Sequence, residues 1–217
     1  IDNTTVDSKN GLMKLGIEPG EGQRVELSGI IYADDEGITA TDVDNGNAEY
    51  QADHHIRKTT ASAHYTFDSP KTDLINLSAT AYRDATTVAD YGGDYPRDTK
   101  AELTTTGLDL FNTFKFKTAW ADHAVTLGTE YYHDAGKGRV NGDPESQNPD
   151  ATQDVVGIYS QYRVTLLDRL SITPGLRWDY YRTDPEGDFP GKKNNRVTPK
   201  VGVDWQATDF LSLYGSY

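Results

Sequence analysis

Apolar and polar residues alternate with a period of two along most of this chain. Between positions 156 and 166, Val156, Ile158, Ser160, Tyr162, Val164 and Leu166 oppose Gly157, Tyr159, Gln161, Arg163 and Thr165. From 170 to 181, Leu170, Ile172, Pro174, Leu176, Trp178 and Tyr180 oppose Ser171, Thr173, Gly175, Arg177, Asp179 and Tyr181. Val197, Pro199, Val201, Val203 and Trp205 then oppose Thr198, Lys200, Gly202, Asp204 and Gln206. Successive strand residues point to opposite faces, so each segment predicts a strand with one oily side and one wet side. Ten such segments fall near 12–18, 23–34, 56–67, 73–84, 103–117, 123–135, 154–166, 169–182, 197–206 and 210–217.

The connections alternate in length. Short ones lie near Glu18–Gly22, Asp68–Thr72, Thr118–Asp122, Leu167–Asp168 and Ala207–Asp209. Long ones are expected at Asp35–His55, Ala85–Glu102, Gly136–Gln153 and Thr183–Arg196. An up-and-down barrel that crosses a membrane has short turns on one side and long loops on the other. Eleven residues at about 3.3 Å each, tilted by about 45°, rise roughly 25 Å, the height of an apolar band. The expected fold is therefore all-β, an antiparallel up-and-down transmembrane β-barrel segment of about ten strands. Aromatics fall near the strand ends, as the girdles of such a barrel require. Tyr65, Phe67, Phe114, Phe116, Trp120 and Trp205 are expected at the short-turn end, and Tyr32, Tyr82, Tyr131, Tyr132, Trp178 and Tyr180 at the long-loop end.

Composition agrees. Hydrophobic residues make up only 35% of the 217, yet there are 14 tyrosines and 20 glycines, a mixture suited to strands and turns. Cysteine is absent, which excludes disulfide scaffolds, zinc fingers and iron–sulfur clusters. A net charge of −13 makes nucleic acid an unsuitable partner. No run of apolar residues is long enough for a transmembrane helix.

Charge on the strands also sorts by face. Glu26, Asp109, Glu130, Arg163, Arg177, Asp179, Lys200 and Asp204 all lie opposite the apolar stripes, where a wet or plugged lumen accommodates them. The first long connection holds Asp34, Asp35, Glu36, Asp42, Asp44, Glu49 and Asp53 and no Lys or Arg. Asp42-Val43-Asp44-Asn45-Gly46 resembles the start of a calcium loop, but its glycine comes one residue early and no glutamate follows at the required spacing. A solvated acidic loop is the preferred reading, and no metal site or resident cofactor is expected.

Several segments resemble the barrel of TonB-dependent outer-membrane receptors. They are His123-Ala-Val-Thr-Leu-Gly-Thr-Glu130-Tyr-Tyr, Leu170-Ser-Ile-Thr-Pro-Gly-Leu-Arg177-Trp-Asp-Tyr-Tyr, Val197-Thr-Pro-Lys-Val-Gly-Val-Asp204-Trp and Phe210-Leu-Ser-Leu-Tyr-Gly-Ser-Tyr217. The likeness extends from about Gly11 onward and is strongest to the haem, haemoglobin and transferrin receptor branch. It implies that residues 1–217 are an internal part of one bacterial outer-membrane barrel domain, with an N-terminal plug domain and the remaining strands not included. It further implies capture of an iron-containing ligand (haem, a haem protein or a ferric siderophore) at the extracellular loops. Uptake would be coupled to the TonB complex through the plug, and the wall would lie in outer-membrane lipid.

The residues offer few chemical candidates. His54, His55 and His133, at the long-loop end, are the candidate haem ligands, since neutral imidazole is a good iron donor. His123 is expected in a short turn with a structural role, and His64 on the wet face as a hydrogen-bonding residue. No catalytic residue is expected, as no metalloprotease, phosphate-loop or nucleophile-elbow motif occurs. The alternative is a self-contained ten-stranded outer-membrane barrel acting as a diffusion channel or as a protease, with Asp84, His133 and Asp134 at the rim.

Overall fold

The computed structural model describes residues 5–42, 48–92, 97–146 and 149–217. These form one antiparallel sheet: β1 Val6–Ile17, β2 Gln23–Asp42, β3 Ala48–Asp68, β4 Asn76–Tyr91, β5 Thr99–Lys117, β6 Ala121–Val140, β7 Asp143–Pro144, β8 Ala151–Leu166, β9 Leu170–Pro185, β10 Lys192–Thr208 and β11 Leu211–Ser216. Every long strand pairs with the next in the chain, and the two-residue β7 pairs only with β6. The up-and-down meander is as the alternation predicts.

The long connections are much shorter than the sequence suggests, because the strands run on into them. Asp35 pairs with His55, Glu36 with His54 and Gly37 with Asp53. Loss of alternation hid these extensions. A ladder needs only backbone groups, and where both faces are wet nothing enforces an apolar side. Twenty residues of β2 cover roughly 65 Å, or about 45 Å in height at a 45° tilt, against an apolar band of about 25 Å. The strands thus rise well beyond the band at one end. Residues 43–47 lie outside the described residues, and with them most of the Asp42–Gly46 motif.

Two turns close with both central residues at positive φ, the geometry that matches strand twist. One is Leu167-Asp168 between β8 and β9, at φ 49° and 56°. The other is Asn141-Gly142 between β6 and β7, at 52° and 87°.

The register fixes the faces. Val25, Leu27, Ile31, Leu108, Leu110, Leu127, Ile158, Leu176, Trp178, Val197 and Val203 share one face, and the pairs Ile158↔Trp178 and Trp178↔Val197 show the continuity across strands. All eight strand charges expected on the wet side lie on the other face. A single sheet has no packed core. Among the described residues the buried apolar side chains are Ala52, Ala89, Ala121 and Val155, while Leu127, Ile158 and Leu176 remain about half exposed. That apolar face has the character of one covered by hydrocarbon.

The girdle needs one correction. Tyr131, Trp178 and Tyr180 stand on the apolar face, but Tyr32, Tyr82 and Tyr132 turn to the polar face. The shared pairing of Tyr82 and Tyr132 with Gly107 shows it for the last two. Nearness to a strand end was not enough to assign these rings, because each one-residue step reverses the face.

Candidate functional site

The polar face carries the chemistry of this wall. Glycines there make room for long side chains from the neighbouring strand. A Cβ at Gly107 would stand 2.4 Å from the Tyr82 ring, and one at Gly128 would stand 2.3 Å from the Tyr159 ring. Each tyrosine therefore lies flat over its cross-strand glycine. The Tyr159 hydroxyl donates to Asp109 at 3.3 Å. Arg177 donates to Glu130 at 2.6 Å and to Asp179 at 2.7 Å, while its guanidinium lies 5.9 Å from the Tyr159 ring centre. Lys200 covers Gly175 in the same manner. Together Asp109, Glu130, Tyr159, Arg177, Thr198 and Lys200 line a cavity of about 470 Å³ on this face. The period-two pattern puts these charges on the polar face but carries no sign of the cluster. The signal was the run of glycines facing Tyr or a long cation, visible only once the register is known.

Further toward the extended end, the same face holds more carboxylates with hydroxyl or amine partners. Asp84 accepts from Thr60 at 2.6 Å and lies 3.4 Å from the Lys58 ammonium. Asp134 accepts from Thr105 at 2.6 Å, and Asp34 accepts from Ser8. His54 meets Asp90 through Nδ1 at 2.5 Å, and Asp90 also accepts from Thr99 at 3.0 Å. A carboxylate on Nδ1 holds that nitrogen as the N–H and leaves Nε2 the basic one, the form in which imidazole binds a metal.

The three candidate histidines are not brought together. His54 and His55 are strand neighbours on β3 and so face opposite sides. His55 contacts Asp35 through Nδ1 and stacks on Tyr91 with ring centres 4.5 Å apart, on the continuation of the apolar face. His133 is also on that side, 2.9 Å from Asp154, which accepts the Tyr131 hydroxyl at 2.7 Å. Neither His54 nor His55 sits in a loop, since β3 begins before both. No group of three or more metal-ligating side chains occurs among the described residues. Asp84, His133 and Asp134 do not assemble a rim triad, because His133 faces away from the other two.

His64 bonds Ser78 at 3.0 Å on the polar face, as expected. His123 is not in a turn. It is the third residue of β6, buried on the apolar face, stacked on Phe116 at 4.7 Å and bonded to the Tyr162 hydroxyl at 2.6 Å and Thr118 at 3.1 Å. With Trp120 it forms an aromatic rim at the short-turn end.

At the opposite end, Arg139, the penultimate residue of β6, clamps Asp150 in the connection before β8 with contacts of 2.5 and 2.7 Å. The guanidinium holds this carboxyl below its usual range, helped by the Gly138 amide. The clamp ties the connection after β7 back onto β6.

A family model described as TonB dependent receptor-like, beta-barrel matches residues 7–217. Among curated proteins no sequence matches. Solved structures share the fold. The Serratia marcescens hemophore receptor HasR, in complex with its hemophore HasA and haem, superposes with a TM-score of 0.80 at 18% identity, over 96% of this chain and 35% of that one. The ferric citrate transporter FecA gives 0.77 at 16% identity, over 99% of this chain and 36% of that one. The copper transporter OprC gives 0.78 at 13%, over 99% and 36%. The chain thus spans about a third of the length of these proteins.

Proposed function

We propose, from the premise that the chain belongs to the TonB-dependent receptor β-barrel family, that it forms part of the wall of a bacterial outer-membrane receptor that takes up an iron-containing ligand. The family is one of receptors, and no residue of this wall is assigned covalent chemistry. The observation that carries the reading is the two-faced sheet. One face is apolar over a membrane-high band, and the other carries the Asp109–Glu130–Tyr159–Arg177–Lys200 cluster. The extended strand ends would stand outside the cell, and the polar face would line the lumen. Loops at that end would meet the ligand. A plug domain in the same protein would transmit energy from the TonB complex, and residues 1–217 would form one part of a single larger barrel.

Haem, a haem protein and a ferric siderophore are the proposed ligands. The fold is shared by a hemophore receptor seen with haem and by transporters named for ferric citrate and copper, so the fold does not select among them. Of the candidate haem ligands, His54 is favoured, because it stands on the lumen side and its Nε2 has no hydrogen-bond partner among the described residues. His55 and His133 would reach a ligand only from outside the barrel.

The test is growth of an iron-starved host, lacking its own receptors, that expresses the full-length protein on haem or a ferric siderophore. Growth on one source that disappears when TonB is deleted is expected. Growth that persists without TonB would overturn the reading in favour of a diffusion channel. In haem-loaded protein, His54→Ala is expected to shift the Soret band, and an unchanged spectrum removes His54 as a ligand.

A further inference from the structure

His54 offers a metal a single donor in a fixed form. Thr99, Asp90 and His54 form a chain across β5, β4 and β3 on the polar face, level with Glu36 of β2 and Val140 of β6. The Thr99 hydroxyl donates to Asp90 Oδ2 at 3.0 Å, and Asp90 Oδ1 holds His54 Nδ1 at 2.5 Å. Neighbouring strands thus fix the plane of the imidazole and leave Nε2 with the lone pair. No group of three or more His, Cys, Asp or Glu side chains that could hold an ion occurs among the described residues. A bare transition-metal ion takes about four donors from a protein. A ferric siderophore closes the iron with its own donors and leaves no position for an imidazole. One pre-set imidazole suits a metal that brings most of its ligands and keeps an axial position open, as haem does.

A second, separate observation comes from the wall beside His54. Ile56, the next residue of β3 on this face toward the apolar band, begins an apolar row. Ile56 pairs with Val88, Val88 with Ala101 and Ala101 with Gly138, so this row carries no polar side chain from β3 to β6. In the following row Leu103 of β5 stands opposite Gly136 and is 49% exposed. The rows lie about 7 Å apart along the strands. This stretch rises beyond the band, where water wets both faces. An exposed apolar shelf there marks a surface that a ligand covers.

We infer that the lumen face of β3–β6 seats haem. His54 is the axial donor, Asp90 is the residue that positions it, and the shelf of Ile56, Val88, Ala101 and Leu103 meets the macrocycle. The site thereby selects haem over a ferric siderophore. The Asp90 carboxylate also makes the imidazole a stronger donor, which favours ferric over ferrous iron. The inference rests on the receptor reading above.

The test uses the full-length protein in detergent, titrated with haem, with metal-free protoporphyrin and with Cu²⁺ alone. Asp90→Asn is expected to weaken ferric haem about tenfold and to leave metal-free protoporphyrin unchanged, because only the iron senses the carboxylate. With ferrous haem held as before, that tenfold loss raises the midpoint potential of bound haem by about 59 mV. Thr99→Val keeps the charge but loosens it, and is expected to move the potential the same way by less. It reads the role of Asp90 even where Asp90→Asn does not fold. Leu103→Asn is expected to weaken haem and metal-free protoporphyrin alike, by about tenfold. Wild-type potentials in the Asp90 and Thr99 variants overturn Asp90 as the positioning residue. Undiminished binding of both porphyrins by Leu103→Asn overturns the shelf. Cu²⁺ binding that vanishes in His54→Ala overturns haem in favour of a bare ion. A wild-type protein that feeds its host a ferric siderophore through TonB but binds no haem overturns this inference and leaves the receptor reading standing. Uptake that persists without TonB overturns the receptor reading and the seat with it.

Discussion

Leu176→Arg tests the assignment of faces most directly. Leu176 is 50% exposed in the middle of the β9 stripe, six residues from Leu170 at one edge and four from Tyr180 at the other. At a 45° tilt those edges are roughly 9–14 Å away in height. That is farther than an arginine side chain reaches, so snorkelling gives little relief. A basic residue at that depth costs about 2–4 kcal/mol, a fall of roughly 30- to 700-fold in the ratio of folded to unfolded protein. Against a typical total of about 5–15 kcal/mol, this is a large loss. Ile158→Arg should cost less, because Ile158 pairs with Trp178 near the edge of the band. Arg163→Ala, on the polar face, should change stability by about 0.5 kcal/mol or less. The assay is urea unfolding of the full-length protein in phospholipid vesicles, with the folded fraction read from heat-dependent gel mobility. If Leu176→Arg proves as harmless as Arg163→Ala, the apolar face does not meet lipid and the reasoning fails.

Two further predictions concern the polar face and the extended end. Gly128→Ala should displace the Tyr159 ring, whose Cζ stands 2.3 Å from the new Cβ, and break its bond to Asp109. The expected cost is about 1–3 kcal/mol, read as a lower Tm. Gly29→Ala, where a Cβ meets nothing within 4 Å, is the control and should leave Tm nearly unchanged. The Asp150 carboxyl has a folded pKa below its ordinary 3.8, so its clamp contributes fully above that value and is lost as pH falls through the folded pKa. Protease cleavage within 141–150 should therefore rise below about pH 4 and not between pH 5 and 8, and Asp150→Asn should cleave at the fast rate at both. Slow cleavage of Asp150→Asn at neutral pH would show that the clamp does not hold this connection.

The strand order, the hairpin rhythm and the two faces were legible because alternation is a local property that the apolar band enforces. Strand ends were not legible, since a ladder with both faces wet leaves no pattern. Asp35, His54 and His55 therefore read as loop and proved to be strand. The Asn141-Gly142 pair is a strong hairpin signal, and it marked the β6–β7 turn inside what was read as one long loop.

The sequence by itself determined that this protein is a meander of two-faced strands. Side-chain direction reverses at every residue, and only one face tolerates charge. Which residues meet across strands was decided by the tertiary structure alone, because cross-strand neighbours are set by register. Register placed Tyr159 on Gly128, Arg177 beside Glu130 and His54 beside Asp90. It also turned His55 and His133 to the far side.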